Sequence, residues 1–126
     1  MRKSSAACEV RSSPHGRGRG YTLNVPLRAL TPTTDQRRAF DAAIGDIAAK
    51  FTPDLIMISA GFDAHLNDPL GQLLLTDNDF IRMTGVLKEW ADEACNGRLV
   101  SCMEGGYNLE TLGATVRAHV GALQAD

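Results

Sequence analysis

The feature that most constrains the fold is an apolar run near the middle of the chain. Residues 55–60 read LIMISA, and no polar residue of the run precedes Ser59. Strands of parallel sheets have such sequences because helices cover both of their faces. We therefore predict a parallel strand that is buried on both faces. The motif that follows, GFDAH at 61–65, then lies at the carboxyl end of that strand, where α/β proteins place their sites.

The residues before this run predict a strand and a helix. The β-prone segment YTLNVPL at 21–27 contains Pro26, which favours an edge strand. Thr33 or Thr34 is a candidate N-cap for the helix that follows, and Pro53 ends it. The helix is indicated by apolar residues at helical spacing, namely Phe40, Ala43, Ile44, Ile47, Ala48 and Phe51.

Two further helices and one strand are predicted after the central strand. Thr76 and Asp79 resemble a capping box, and Asn96-Gly97 closes the same helix. RLVSCM at 98–103 predicts a third strand, and 109–125 predict a final helix. The apolar face of that last helix comprises Leu109, Leu112, Val116, Val120 and Leu123. The order β-α-β-α-β-α predicts an α/β fold with a mostly parallel sheet.

Composition limits the classes of function. The net charge of −2 gives no electrostatic case for binding nucleic acid or an anionic membrane. No apolar stretch approaches the ~18 residues of a membrane span. Residues 1–20 are rich in Ser, Gly and Arg and predict an irregular tail; their GRGRG lacks the spacing and the strand–loop–helix context of a phosphate loop. The three cysteines, without CxxC spacing, favour reduced thiols in a soluble cytoplasmic protein.

Two loops leave the carboxyl ends of the predicted parallel strands, and we expect them at one edge of the sheet. The first carries Asp63, His65 and Asp68. An Asp-x-His pair with a further carboxylate has the chemistry of a zinc site. The same residue types are also favoured in turns, so spacing alone leaves metal binding and turn formation both open.

The second loop is EGGYN. Gly105 and Gly106 permit close approach of the backbone to a ligand, and the phenol of Tyr107 can donate a hydrogen bond to a developing oxyanion. A tyrosine packed on a glycine turn is the competing interpretation. Glu104 is a candidate general base or an anchor for loop amides. His119, in the middle of the last helix, is expected to be exposed or to pack rather than to catalyse.

Together these motifs resemble a known family. SAGFDAHLNDPLG followed by MEGGYNLETLG, with GYTLNVPL upstream and LTDNDF between them, resembles the C-terminal part of the zinc-dependent histone deacetylases. The likeness is closest to class II and bacterial members, which include acetylpolyamine amidohydrolases. It runs from about Gly18 to the end, so we assign 1–20 to the tail and 21–126 to the deacetylase-like part. It implies the arginase/deacetylase α/β sheet, of which this chain supplies three strands.

The resemblance also implies roles for individual residues. Asp63 matches a zinc ligand, and Tyr107 matches the tyrosine that hydrogen-bonds the substrate carbonyl and stabilises the oxyanion. Gly105 and Gly106 match the turn that lines the acyl-lysine tunnel, and Leu70 matches an apolar residue of its wall. His65 has no ligand role in the family. The implied activity is hydrolysis of acetyl-lysine or acetylpolyamine amides with Zn²⁺.

The chain departs from the family pattern where the other catalytic groups are expected. The family takes its general base from a His-His pair and two zinc ligands from an Asp-x-His motif, both earlier in the chain. This sequence has no His-His pair, and its one Asp-x-His is 63–65 itself. One Asp cannot hold a catalytic zinc, so we expect the chain to be inactive alone: the C-terminal portion of a deacetylase from a truncated gene, a split gene or a misplaced start. The alternative is a non-catalytic remnant or a subunit completed by a partner chain. A nucleotide-binding module is a weaker third possibility because no phosphate-loop fingerprint exists. We also expect marginal stability, self-association or dependence on a partner.

Overall fold

The structure is a computed structural model that describes residues 20–125. The predicted tail at 1–20, apart from Gly20, lies outside these residues. Five main elements follow one another, with a single turn of 3-10 helix between the first strand and the second helix. In chain order they are α1 (Thr33–Ala48), β1 (Ile56–Ala60), the 3-10 turn (Phe62–Ala64), α2 (Asp77–Cys95), β2 (Leu99–Met103) and α3 (Leu112–Gln124).

The two strands form a parallel sheet, as the sequence predicts. Ile56 pairs with Leu99 at one end of the ladder, and Ala60 pairs with Met103 at the other. Parallel neighbours need a crossover connection, and α2 provides it. The carboxyl ends of β1 and β2 therefore lie at the same edge of the sheet, and the loops that carry Asp63 and Tyr107 both begin there. The predicted α/β class is confirmed, with two parallel strands in the described residues.

The first predicted strand is wrong. Within the described residues the sheet has two strands, and 21–27 make no ladder with either. The segment keeps a two-residue alternation in burial, because Leu23, Val25 and Leu27 are half-buried while the residues between them are exposed. Pro26 has no N–H to donate to a ladder, and the described chain provides no third strand for this segment to join. The observed order is therefore α-β-α-β-α.

Helix α1 begins at Thr33, with Pro32 as the N-cap, so the predicted threonine cap is wrong. The Thr33 hydroxyl instead donates to the carbonyl oxygen of Leu74 at 3.2 Å. The helix ends at Ala48, before Pro53. It is joined to α2 by a paired hydrogen bond in which the Arg82 guanidinium donates to both carboxylate oxygens of Asp41, at 3.0 and 2.7 Å.

Helix α2 has both of the predicted caps. The buried carboxylate of Asp79 accepts hydrogen bonds from the backbone N–H and the hydroxyl of Thr76, at 2.8 and 2.7 Å, and one from Arg37 of α1. Burial alone would raise the pKa of Asp79, but the hydrogen bonds from Arg37 and Thr76 outweigh it and hold the pKa below its ordinary value. At the other end Asn96 adopts the left-handed conformation that ends helices, with φ of 53°.

The face that α3 buries is the predicted one only in part: Leu112 and Val116 pack against the apolar core, as predicted, but the ends of the predicted face do not. Leu109 precedes the helix and is 88% exposed, and Val120 is 42% exposed. The buried residues are Thr115 and His119. Their hydroxyl and imidazole groups make hydrogen bonds to side chains of α2 and β2, and these bonds permit polar groups to be buried. Periodicity of apolar residues cannot detect a helix face of this kind.

The apolar core lies on one side of the sheet, between the strands and helices α2 and α3. It has two clusters, one around Phe62 and one around Ala91. The opposite side of the sheet is exposed within the described residues: Met57 is 69% and Val100 is 45% accessible. The prediction that β1 is buried on both faces is therefore wrong for residues 20–125. The buried core residues are Ile56, Ala60, Phe62, Leu75, Phe80, Ala91 and Cys95.

Candidate functional site

The loops that follow β1 and β2 are hydrogen-bonded to each other. The backbone N–H of Glu104 donates to the carbonyl oxygen of Ala60 at 3.0 Å, and that of Phe62 donates to Gly105 at 2.8 Å. These bonds extend the β1–β2 ladder beyond the last residue of each strand. The buried Phe62 anchors the 3-10 turn beneath the edge. Asp63, the next residue, is thereby held beside the glycine loop.

The carboxylate of Asp63 packs directly against two glycines. A Cβ at Gly105 would lie 2.4 Å from Oδ2 of Asp63, and a Cβ at Gly61 would lie 3.0 Å from Oδ1. A third glycine, Gly71, passes over the Asp63 backbone, where a Cβ would be 1.6 Å from its carbonyl oxygen. A side chain at Gly71 would meet backbone that cannot turn away, and one at Gly61 or Gly105 would displace the Asp63 carboxylate. The orientation of Asp63 is therefore fixed by the backbone of three glycines that lie close to it on different sides.

Gly106 turns the second loop and leads to Tyr107. Its φ is +143°, and a Cβ there would lie 2.7 Å from Cδ1 of Leu112 and 3.0 Å from Cβ of Phe62. Both the conformation and the space therefore require glycine. Tyr107 follows with 52% of its surface exposed. The residue is thus half exposed on the loop that begins at the sheet edge beside the Asp63 loop.

Asp68 connects the two loops, and this is the site feature that the sequence did not predict. Its Oδ1 accepts hydrogen bonds from the backbone N–H groups of Leu70 and Gly71, each at 2.8 Å, and its Oδ2 accepts one from Tyr107 at 2.8 Å. Desolvation acts to raise the pKa of Asp68, but the backbone N–H donors, including Asn108, together lower it below its ordinary value. With both oxygens engaged by backbone, Asp68 is a loop connector rather than a third oxygen donor for a metal.

Leu70 and Asn108 lie on either side of this connection. Leu70 is 69% exposed beside the backbone that Asp68 holds. The Asn108 side chain donates from Nδ2 to the carbonyl oxygen of Asn67 at 2.7 Å. Its Oδ1 accepts from the backbone N–H groups of Glu110 and Thr111, which precede α3. The loop after β2 is thus attached both to the loop after β1 and to the start of α3.

His65 joins the loop to the start of α2. It is buried; its Nδ1 accepts from the backbone N–H of Asn67 at 3.2 Å, and its Nε2 is 3.5 Å from Oδ1 of Asp77. The same oxygen of Asp77 accepts from the Thr115 hydroxyl at 2.6 Å. Of the two interpretations left open for the Asp-x-His pair, the geometry supports loop structure for His65.

His119 is also a structural residue, as expected. It is buried between α2 and β2, with Nδ1 2.7 Å from the Thr84 hydroxyl and Nε2 2.8 Å from the Ser101 hydroxyl. The edge of Phe62 packs on the ring, with centroids 5.5 Å apart. Burial lowers the pKa of His119 because the charged form loses hydration.

The described residues do not make a complete metal site. Between residues 20 and 125 no group of three or more His, Cys, Asp or Glu side chains could hold a metal ion. Asp63 offers one hard carboxylate donor, whereas catalytic zinc takes three protein ligands. Cys95 is a buried free thiol and Cys102 an exposed one, and neither is near a cluster of ligands. Within the same residues, no helix has the length and apolar character needed to cross a membrane.

These features define an α/β protein with a carboxylate and a phenol at the carboxyl edge of a parallel sheet. Comparison with known proteins identifies its family. The histone deacetylase domain profile matches residues 6–123, and the chain belongs to the histone deacetylase family. It is 46% identical over 101 residues to histone deacetylase 10, chloroplastic, of Oryza sativa subsp. japonica, a match that covers 80% of this chain and 23% of the rice protein.

Solved structures agree with this assignment. The HDA15 HD domain superposes with a TM-score of 0.76 at 34% identity, over 89% of this chain and 32% of that chain. The acetylpolyamine aminohydrolase from Burkholderia pseudomallei superposes with a TM-score of 0.75 at 29% identity, over 88% of this chain and 31% of that one. The chain thus corresponds to a quarter to a third of these relatives, and its fold is a part of the deacetylase fold.

Proposed function

We propose that this chain is the C-terminal segment of a zinc-dependent deacetylase that hydrolyses acetyl-lysine-type amides. The observation that carries the proposal is the attachment of the Asp63 loop to the Tyr107 loop at one edge of the sheet. The relatives are a histone deacetylase and an acetylpolyamine aminohydrolase. The substrate class we propose is therefore an acetylated primary amine, either acetyl-lysine or an acetylpolyamine.

In this proposal Asp63 supplies one ligand of the zinc ion, and the remaining ligands lie outside the described residues. The carboxylate is suited to this role because Gly61 and Gly105 fix its position at the strand end. Bound zinc would polarise the amide carbonyl and activate a water molecule. The described residues alone do not hold it.

In this proposal Tyr107 has the second role in the reaction. Its phenol donates a hydrogen bond to the carbonyl oxygen as negative charge develops there, which stabilises the tetrahedral state more than the planar substrate. Gly105 and Gly106 allow the substrate chain to approach the backbone, and the exposed Leu70 provides an apolar wall for its methylene groups.

A chimera tests the proposal. Residues 20–126 replace the matching segment of the Burkholderia acetylpolyamine aminohydrolase, and zinc content and deacetylation of an acetyl-lysine peptide and an acetylpolyamine are measured. We expect activity with at least one substrate, loss on chelation, and a fall in kcat of about 10²–10³-fold in Tyr107→Phe. Tyr21→Phe is the matched control and leaves kcat unchanged. A folded, zinc-loaded chimera without activity on either substrate would contradict the proposal.

The second candidate is a non-catalytic remnant, or a subunit completed by a partner chain. It is favoured by the single candidate ligand and by the exposed sheet face that carries Met57 and Val100. Both candidates predict that the chain alone with zinc is inactive, so the chimera discriminates between them: an active chimera excludes a non-catalytic remnant. Activity of the unassisted chain that disappears in Tyr107→Phe would exclude both the remnant and the dependence on a partner. The free thiols support a cytoplasmic location, which we also propose.

A further inference from the structure

We propose that Asp68 is a positioning residue that fixes the distance between Leu70 and Tyr107 across the mouth of the site. This inference rests on the proposed function in one respect only: it takes these two residues to line the substrate passage. The contacts on which it is built belong to the backbone and do not depend on any bound group. Asp68 lies five residues after Asp63 and is not counted among the metal ligands.

The geometry of one carboxylate carries the proposal. Oδ1 of Asp68 accepts hydrogen bonds from the backbone N–H groups of Leu70 and Gly71, in the first loop. Oδ2 accepts one from the backbone N–H of Tyr107, in the second loop. All three donor–acceptor distances are 2.8 Å, which is short for N–H to oxygen and typical of charge-assisted bonds. Because both oxygens belong to one planar group, the two backbone segments cannot move apart without losing a hydrogen bond.

The bond to Asp68 holds the Tyr107 loop on the C-terminal side of Gly106. Before the tyrosine, the loop is fixed at Gly105, whose carbonyl oxygen accepts from Phe62. Gly106 follows with φ of +143° and no side chain to restrict rotation. The bond from the Tyr107 N–H to Asp68 is the next one along the chain. The chain is therefore held on both sides of Gly106. Without the bond to Asp68, the next attachment is the side chain of Asn108, bonded to Asn67, so Tyr107 gains freedom to rotate about Gly106.

Replacement by asparagine separates the two halves of this connection. Asp68→Asn keeps one oxygen acceptor for Leu70 and Gly71 but places an NH₂ group opposite the Tyr107 N–H. Two donors then face each other, so the bond to Tyr107 is lost while the local turn is retained. The matched control is Asp92→Asn, which makes the same chemical change at an exposed carboxylate bonded to Lys88 on α2.

The position of Tyr107 can be observed without activity. The chain has two tyrosines, Tyr21 and Tyr107, so 3-fluorotyrosine labelling gives two ¹⁹F signals that Tyr107→Phe assigns. In Asp68→Asn we expect the Tyr107 signal to shift and broaden, the Tyr21 signal to stay, and amide hydrogen exchange at Tyr107 to become about tenfold faster than in the wild type. An unchanged Tyr107 signal overturns the inference. An unprotected Tyr107 amide in the wild type overturns it without any variant.

The chimera gives the functional readout. A mispositioned phenol stabilises the transition state less, while the binding of the substrate changes little. Asp68→Asn is therefore expected to lower kcat by about tenfold or more, with little change in KM or zinc content. Asp92→Asn leaves kcat unchanged. If Tyr107→Phe lowers kcat and Asp68→Asn leaves kcat unchanged, the positioning role is wrong and the proposed function stands. If Tyr107→Phe has no effect on activity, the proposed function fails, and the ¹⁹F result decides the positioning role separately.

Discussion

Two glycines beside Asp63, and a third inside α3, differ widely in their tolerance for a side chain. A methyl group at Gly71 would meet the Asp63 carbonyl oxygen, which belongs to the backbone and cannot turn away. At Gly105 it would meet the Asp63 carboxylate, which can rotate at the cost of its place at the sheet edge. At Gly113, inside α3, no atom lies within 4 Å. The surroundings of each glycine therefore rank the consequences of an alanine substitution.

We predict that Gly113→Ala is the most stable of three alanine variants, Gly105→Ala is less stable, and Gly71→Ala is the least stable. Gly113→Ala is neutral or stabilising by up to ~1 kcal/mol because alanine is the better helix former. Gly105→Ala destabilises by about 1 kcal/mol, and Gly71→Ala by about 3 kcal/mol, because overpacking must be relieved by displacement of the side chain or the backbone. Urea unfolding monitored through Trp90 measures all three. Equal midpoints for Gly113→Ala and Gly71→Ala would show that the close contact at Asp63 is absent in solution.

At the scale of the elements, His119 joins α3 to both α2 and β2, and its tautomer follows from its partners. The Thr84 hydroxyl donates its hydrogen to the carbonyl oxygen of Phe80 at 2.6 Å. It must therefore accept from Nδ1–H of His119, which leaves Nε2 to accept from the Ser101 hydroxyl. The ring is neutral in this arrangement, and protonation would place a second hydrogen between Nε2 and Ser101.

This arrangement makes the stability of the chain sensitive to mild acid. Burial lowers the pKa of His119 in the folded state, below the ordinary value of 6.5 that holds in the unfolded chain. Between the folded-state pKa and 6.5 the unfolded state binds more protons, so stability is highest above pH 6.5 and decreases as the pH falls below it. We predict a lower free energy of unfolding at pH 5.5 than at pH 7.5, measured by urea titration at fixed ionic strength.

His119→Gln provides the comparison for this pH dependence, since its amide is polar but does not titrate. We expect the difference in unfolding free energy between pH 7.5 and 5.5 to shrink in this variant, even if it is less stable at both values. The same difference in the wild type and in His119→Gln would assign the pH dependence to other groups. Asp79 acts in a separate range: its pKa is lowered from 3.8, so its contribution is lost only in stronger acid.

The elements that the sequence predicts well are those with local signals. The Thr76–Asp79 capping box and the Asn96-Gly97 end delimit α2, and both signals lie within a few residues of the boundary. The segment at 21–27 failed as a strand because a strand depends on a neighbour, which no local pattern guarantees. The face of α3 was predicted only in part for a related reason: Leu112 and Val116 pack on the core as expected, but Thr115 and His119 are buried by partners on other elements.

The candidate site shows the same division. Asp63 and Tyr107 are recognised from short motifs, and the parallel order of the strands explains why their loops meet. The connection through Asp68 was missed because its two ends, Asp68 and Tyr107, are 39 residues apart. The turn formed by Asp68 with Leu70 and Gly71 has a local sequence signal, whereas the bond to Tyr107 has none. Contacts between loops become predictable only after the sheet order is known.

At the scale of the whole molecule, the exposed sheet face is the feature with the largest consequence. Met57 and Val100 are register partners on neighbouring strands and are both exposed on this face. Apolar side chains on an open sheet favour pairing with another copy or with another polypeptide. We therefore predict that the 126-residue chain self-associates at micromolar concentrations, which sedimentation velocity can measure across a dilution series.

A cross-strand substitution on the same face tests whether this surface is the cause. Met57→Lys combined with Val100→Glu replaces the two apolar groups with opposite charges that face each other across the ladder, an arrangement that strands tolerate. We expect the double variant to remain monomeric at concentrations where the wild type associates, with an unfolding midpoint close to that of the wild type. Leu109→Lys is the control, because Leu109 is 88% exposed but lies in the loop before α3. If Leu109→Lys abolishes association and the double variant does not, the contact lies near the candidate site, and the sheet face is not what drives self-association.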